Sequence, residues 1–142
     1  MNNPTIQFNF LEPISLADRT RLKQFIIGLF KREKTPLAEV QYIFCSDQYL
    51  LEINRQFLQH DFYTDIITFD LSEPGQPIHA EIYISVDRVR ENAREFNSSL
   101  KKELHRVLFH GALHLVGYGD KGREEEIKMR IMEEKCLTRY FG

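Results

Sequence analysis

The sequence predicts an α+β fold: a single domain over residues 1–142 in which a small mixed sheet packs against several helices, one of them metal-binding and ended by a glycine turn in the zincin-like manner. Three observations lead there. A chain of 142 residues is the size of one ordinary domain, able to bury about two-thirds of its unfolded surface without staples. Short β-rich runs mix with longer apolar runs of helical period, and no repeat, low-complexity tract or linker divides them. Residues 110 to 120 read His110-Gly111-Ala112-Leu113-His114-Leu115-Val116-Gly117-Tyr118-Gly119-Asp120, which is metal-site spacing on a helix.

Taken in order, Thr5 to Phe10 is a candidate first strand. Leu16, Leu22, Phe25, Ile26, Leu29 and Phe30 then recur at helical spacing, ending near Thr35-Pro36. Val40 to Cys45 is β-rich, and Ser46 and Asp47 are N-cap candidates for a helix carrying Leu50, Leu51, Ile53, Asn54 and Phe57. Asp65 to Leu71 and Glu81 to Ser85 read as strands joined by a loop containing Pro74, Gly75 and Pro77. From Val86 the pattern is helical: one helix to about Phe96, a second from about Ser99 to Val116 and a last from about Arg123 to Tyr140.

The remaining composition narrows the class. Hydrophobic residues make up 42% and charged residues 28%, with no apolar run long enough to span a bilayer, so no membrane partner is expected. Met1-Asn2-Asn3-Pro4-Thr5-Ile6-Gln7 has neither a basic start nor an apolar core, and the expected compartment is the cytoplasm. Cys45 and Cys136 lack Cys-x-x-Cys spacing and are expected as reduced core residues. The net charge of −2 does not announce a nucleic-acid binder. Two basic clusters, Arg19 to Lys34 and Arg88 to Arg106, permit an anionic substrate to approach, although acidic residues interleave them as on solvated helix faces.

The metal motif carries the chemistry. Residues i and i+4 lie on one helix face, so His110 and His114 can converge on one ion. Leu104, Val107, Leu108, Leu113, Leu115 and Val116 make the segment apolar, where imidazoles need partners. Gly117 can take a left-handed conformation that ends the helix and swings Asp120 back as a third ligand. Two nitrogens and a carboxylate oxygen leave a fourth position for water, as in catalytic zinc sites. The glutamate that serves as base in His-Glu-x-x-His proteases is replaced by Gly111, which argues against a standard metalloprotease.

These residues, with Ile53-Asn54, Thr64-Asp65-Ile66-Ile67-Thr68-Phe69 and Glu81-Ile82-Tyr83-Ile84-Ser85 upstream, resemble the YbeY-type proteins, bacterial zinc-dependent endoribonucleases of ribosomal RNA maturation. The resemblance covers about the last two-thirds of the chain and includes the Glu-rich C-terminus around Glu124 and Glu133. It implies one zinc (Zn2+) per subunit, single-strand-specific RNA cleavage, and work on 16S ribosomal RNA and ribosome quality control. Two positions depart from the family pattern: Asp120 stands where histidine is typical, and Leu58 stands where an arginine follows the matching asparagine by four residues. Leucine cannot clamp a phosphate as arginine does. Arg55 and His60 are the nearby candidates to replace it, and Asp61, Thr64 and Asp65 are candidates to orient substrate or water. No catalytic residue is assigned from sequence. The runner-up function is a ribosome-assembly or RNA-binding factor whose zinc is chiefly structural. Affinity order alone would admit copper or nickel, and zinc is expected from geometry and resemblance.

Overall fold

The computed structural model describes residues 3–142; Met1 and Asn2, which opened the N-terminal reading, lie outside them. The elements are β1 (Thr5–Phe10), α1 (Arg19–Arg32), β2 (Leu37–Cys45), α2 (Asp47–Leu58), β3 (Ile66–Asp70), β4 (Ile78–Ser85), α3 (Val86–Glu95), α4 (Leu100–Leu115) and α5 (Gly122–Phe141). They form one α+β domain with a four-stranded mixed sheet in the order β1-β2-β4-β3. β1 and β4 run parallel to β2, and β3 returns antiparallel beside β4.

Alternation along the strands divides the interior in two. Val40, Tyr42 and Phe44 of β2, with Ala80, Ile82 and Ile84 of β4, face the main core built by Leu22, Ile26, Leu104, Leu108 and Leu137 of α1, α4 and α5. Cys45 turns to the opposite side, where it meets Leu50 and Ile53 of α2 and Ile67 of β3. The end of β2 is therefore covered on both faces and reads as an unbroken apolar run. Both cysteines are free and buried, as expected.

Serines set the starts of α2, α3 and α4. The hydroxyls of Ser46, Ser85 and Ser99 accept from the backbone amides of Tyr49, Arg88 and Lys102 at 3.0, 3.1 and 3.0 Å, each satisfying a donor the helix leaves unpaired. Two strands start three residues earlier than the sequence suggested. Glu39 and His79 pair across β2 and β4 and sit 3.7 Å apart as side chains, so these positions belong to the ladder despite their polarity.

α4 lies against the sheet beneath the site. The buried Tyr42 hydroxyl donates to the Leu108 carbonyl at 2.9 Å. At Gly111 the approach is closest: a Cβ there would lie 2.9 Å from Ile82 Cδ1 and 3.1 Å from Ile66 Cδ1. The position a protease would give to its glutamate thus faces packed isoleucines.

Candidate metal centre

One turn of α4 presents His110 and His114 together, with ring centroids 4.7 Å apart and nearly perpendicular planes. The helix then ends in a Schellman motif. Tyr118 N–H donates to the Leu113 carbonyl at 3.0 Å and Gly117 N–H to the His114 carbonyl at 3.1 Å, with Gly117 at φ +112, a conformation costly to a side-chain-bearing residue. Tyr118 packs back on the core and its hydroxyl donates to Glu33 at 3.2 Å. The following turn is closed by Lys121 N–H donating to Glu125 at 2.9 Å.

Held at both ends, this turn returns Asp120 over the histidines. Its Oδ2 lies 3.2 Å from His114 Nε2 and 3.6 Å from His110 Nε2. One ligand atom from each of the three residues lies within 4.8 Å of the others. The structure therefore brings together the three residues singled out from spacing.

A fourth residue supports them, one that the sequence reading named only within the Glu-rich C-terminus and gave no role. Glu133 of α5, 5% exposed, accepts from His110 Nδ1 at 2.7 Å. With its proton on Nδ1, the imidazole offers the Nε2 lone pair toward Asp120 and His114. A signal was available, because Glu133 interrupts the stripe of Met129, Cys136, Leu137 and Tyr140 that faces the core. Arg106 balances the carboxylate from the other side, 3.4 Å from Glu133, 3.5 Å from Glu103 and 2.7 Å from Glu134. Burial by itself would push the His110 imidazole down, but the Glu133 hydrogen bond and the charges of Glu133, Asp65 and Asp120 outweigh it, so the ring is held above its ordinary value.

Two clefts meet at His110. One, of about 810 Å³, contains Asn54, Leu58, His60, Phe62, Thr64, His114 and Asp120 in its wall. The other, of about 610 Å³, runs behind the histidine past Phe96, Lys102, Arg106 and Glu133. Asp65, Ile66 and His110 line both. Burial pushes the Asp65 carboxyl up, opposed chiefly by the nearby His110, and its Oδ2 accepts from Asn92 at 3.4 Å.

The other candidates separate. Leu58 and His60 line the larger cleft, whereas Arg55 is bound to Asp61 and lies 3.0 Å from Glu52. Arg55 of α2 is therefore engaged by Glu52 of its own helix and by Asp61 of the following loop. The basic clusters are also largely committed. Arg19 and Arg21 lie over Phe10 and Tyr140, Arg88 pairs with Asp47 at 3.1 Å, and Arg90 donates to the Pro13 carbonyl at 3.2 Å. Among the described residues no helix is long and apolar enough to cross a membrane.

Comparison with known proteins widens the resemblance. The family model described as Endoribonuclease YbeY matches residues 12–141, well beyond the stretch legible from motifs. The Endoribonuclease YbeY of Cytophaga hutchinsonii is 50% identical over 123 residues, 87% of this chain and 86% of that protein. That of Phocaeicola vulgatus is 54% identical over 102 residues, 72% of this chain and 73% of that one. A Thermotoga maritima protein solved in solution is similar in fold, with a TM-score of 0.61 and 31% identity over 97% of this chain and 89% of that one.

Proposed function

The chain belongs to the Endoribonuclease YbeY family, and from that premise we propose that it is a zinc-dependent endoribonuclease for single-stranded RNA, with His110, His114 and Asp120 holding one zinc. The substrate we propose is ribosomal RNA, in 16S maturation and ribosome quality control in the cytoplasm, with residues 1–142 acting as one metallohydrolase domain. The observation that carries the reading is the convergence of the three donors in the wall of one open cleft, with His110 also lining a second. Zinc bonds of about 2.0–2.2 Å at tetrahedral angles set their donor atoms about 3.3 Å apart. The separations of 3.2 and 3.6 Å to Asp120 suit that.

Bound zinc would supply an acidified water and a positive centre for a phosphoryl oxygen. Glu133 fixes which nitrogen of His110 faces the ion. Asp65 is the carboxylate of both clefts beside His110, and with burial raising its affinity for a proton it suits the role of holding the one lost by the attacking water.

A specific observation favours the second reading, an RNA-binding factor with a structural zinc: Leu58 lies in the cleft where the family's arginine would, and Arg55 is paired elsewhere. A protease has no comparable support, since Gly111 faces Ile82 and Ile66. Zinc-loaded protein and its His114→Ala variant, incubated with single-stranded RNA, duplex RNA and casein, decide among the three. Cleavage of single strands that disappears in the variant and with chelator is the expected result. RNA binding without cleavage selects the second reading, and casein cleavage overturns both.

A further inference from the structure

We propose that the two clefts hold successive nucleotides of one RNA strand, the base on one side of the junction stacking on Phe62 with His60 and the base on the other side on Phe96. This rests on the endoribonuclease reading and names what the site recognises. Base–aromatic stacking is how single strands are held without sequence preference, and here each cleft has an exposed ring in its wall. Phe62 is 55% and Phe96 62% exposed, and they line different clefts that share only Asp65, Ile66 and His110.

The Phe62 side is preorganised. His60 stacks on Phe62 with centroids 5.1 Å apart and planes 21° from parallel. The loop that carries them is tied to Asn54, itself 2% exposed: its side-chain amide donates to the Phe62 carbonyl at 2.8 Å, and His60 N–H donates to the Asn54 carbonyl at 3.1 Å. On the Phe96 side, Phe96 ends α3 and Asn97 follows at φ +54, which turns the chain along the second cleft.

Charge in the clefts is mixed: Asp65, Asp70 and Asp120 stand with Lys121 in the first, and Asp65, Glu103 and Glu133 with Lys102, Arg106 and Arg130 in the second. Among the described residues Lys121 in the first cleft and Lys102 in the second take part in no ion pair, leaving one free ammonium on each side of the junction for the phosphates. A base laid on an aromatic ring must have left its helical stack, so this platform selects single strands without a device for opening duplexes.

The test is fluorescence anisotropy of a labelled single-stranded hexanucleotide on the full chain, in chelator so that no bond is cut. Wild type, Phe62→Ala, Phe96→Ala and Phe62→Tyr are compared, with RNAs carrying a single abasic nucleotide. Each alanine is expected to raise Kd at least about fivefold, the low end for loss of one base–aromatic stack, while tyrosine retains binding. An abasic nucleotide should erase sensitivity to one substitution and leave sensitivity to the other. Binding of both alanine variants within about twofold of wild type overturns the proposal. Equal loss with intact and abasic RNA overturns it too. Cleavage by zinc-loaded protein is read separately. Aromatic-dependent binding without cleavage supports the proposal and removes the enzyme reading, whereas cleavage indifferent to both rings does the reverse.

Discussion

His105 and His110 lie five residues apart on α4, both withdrawn from solvent, and their surroundings drive them in opposite directions. His105 is 2% exposed. Its Nδ1 is 2.7 Å from the Lys101 carbonyl, its Nε2 has no partner, and its ring stacks on Tyr140. Burial holds it below the ordinary histidine value of 6.5. His110 meets a buried carboxylate and an open cleft, and is held above that value. Burial makes an inert aromatic of one histidine; a carboxylate on one nitrogen and space at the other leave its neighbour able to serve as a metal ligand.

The largest expected break in this comparison is His110→Ala against His105→Phe. Elemental analysis after zinc loading should fall from one zinc per chain to near zero in the first and stay at one in the second. Retention of zinc by His110→Ala would remove this histidine from the ligand set.

Asp120 comes next, because it is the proposed ligand delivered by a turn and not by the helix itself. Asp120→Ala leaves two protein ligands and should weaken zinc binding sharply in a competition titration with a chromophoric chelator. Asp120→His should retain the ion, since imidazole is an accepted zinc ligand. Alanine binding as tightly as wild type would show that Asp120 is not a ligand.

Glu133→Gln probes what distinguishes the two histidines without touching a ligand. Loss of the carboxylate partner is expected to weaken zinc about 10- to 100-fold, with one zinc still bound at saturation. An unchanged affinity would mean that the contact orients nothing.

The smallest effect is on stability against pH, measured by urea unfolding in chelator. A lowered folded value at His105 means that the unfolded chain takes up the proton first as pH falls below 6.5, so stability drops on the acid side. The raised value at His110 works oppositely: its contribution is complete below 6.5 and lost as pH rises through the folded value. His105→Phe should therefore resist acid better than wild type, and Glu133→Gln should lose less stability than wild type on going alkaline. Parallel profiles for all three proteins would refute the opposition.

The sequence by itself determined the α+β class, every strand and helix to within a few residues, and three groups that converge, because each depends on short-range periodicity. His110 and His114 are neighbours by helical repeat, and Gly117 announces the turn that returns Asp120. Local chemistry also narrowed the cap of α2 to Ser46 or Asp47, and Ser46 serves. Tertiary structure alone decided what each polar group meets. Glu133 lies 23 residues from His110 and reaches it only because α5 packs on α4. Gly111 is closed to a side chain by Ile82 and Ile66 on strands remote in sequence. The basic clusters looked available to an anion as a whole until the fold set Arg19, Arg21, Arg88, Arg90 and Arg106 on rings, carboxylates and carbonyls and left Lys102 unpaired. The physical reason is common to these cases: period and turn act over a few residues and can be read along the chain, while burial, partnership and free charge depend on which segments the sheet and helices bring together.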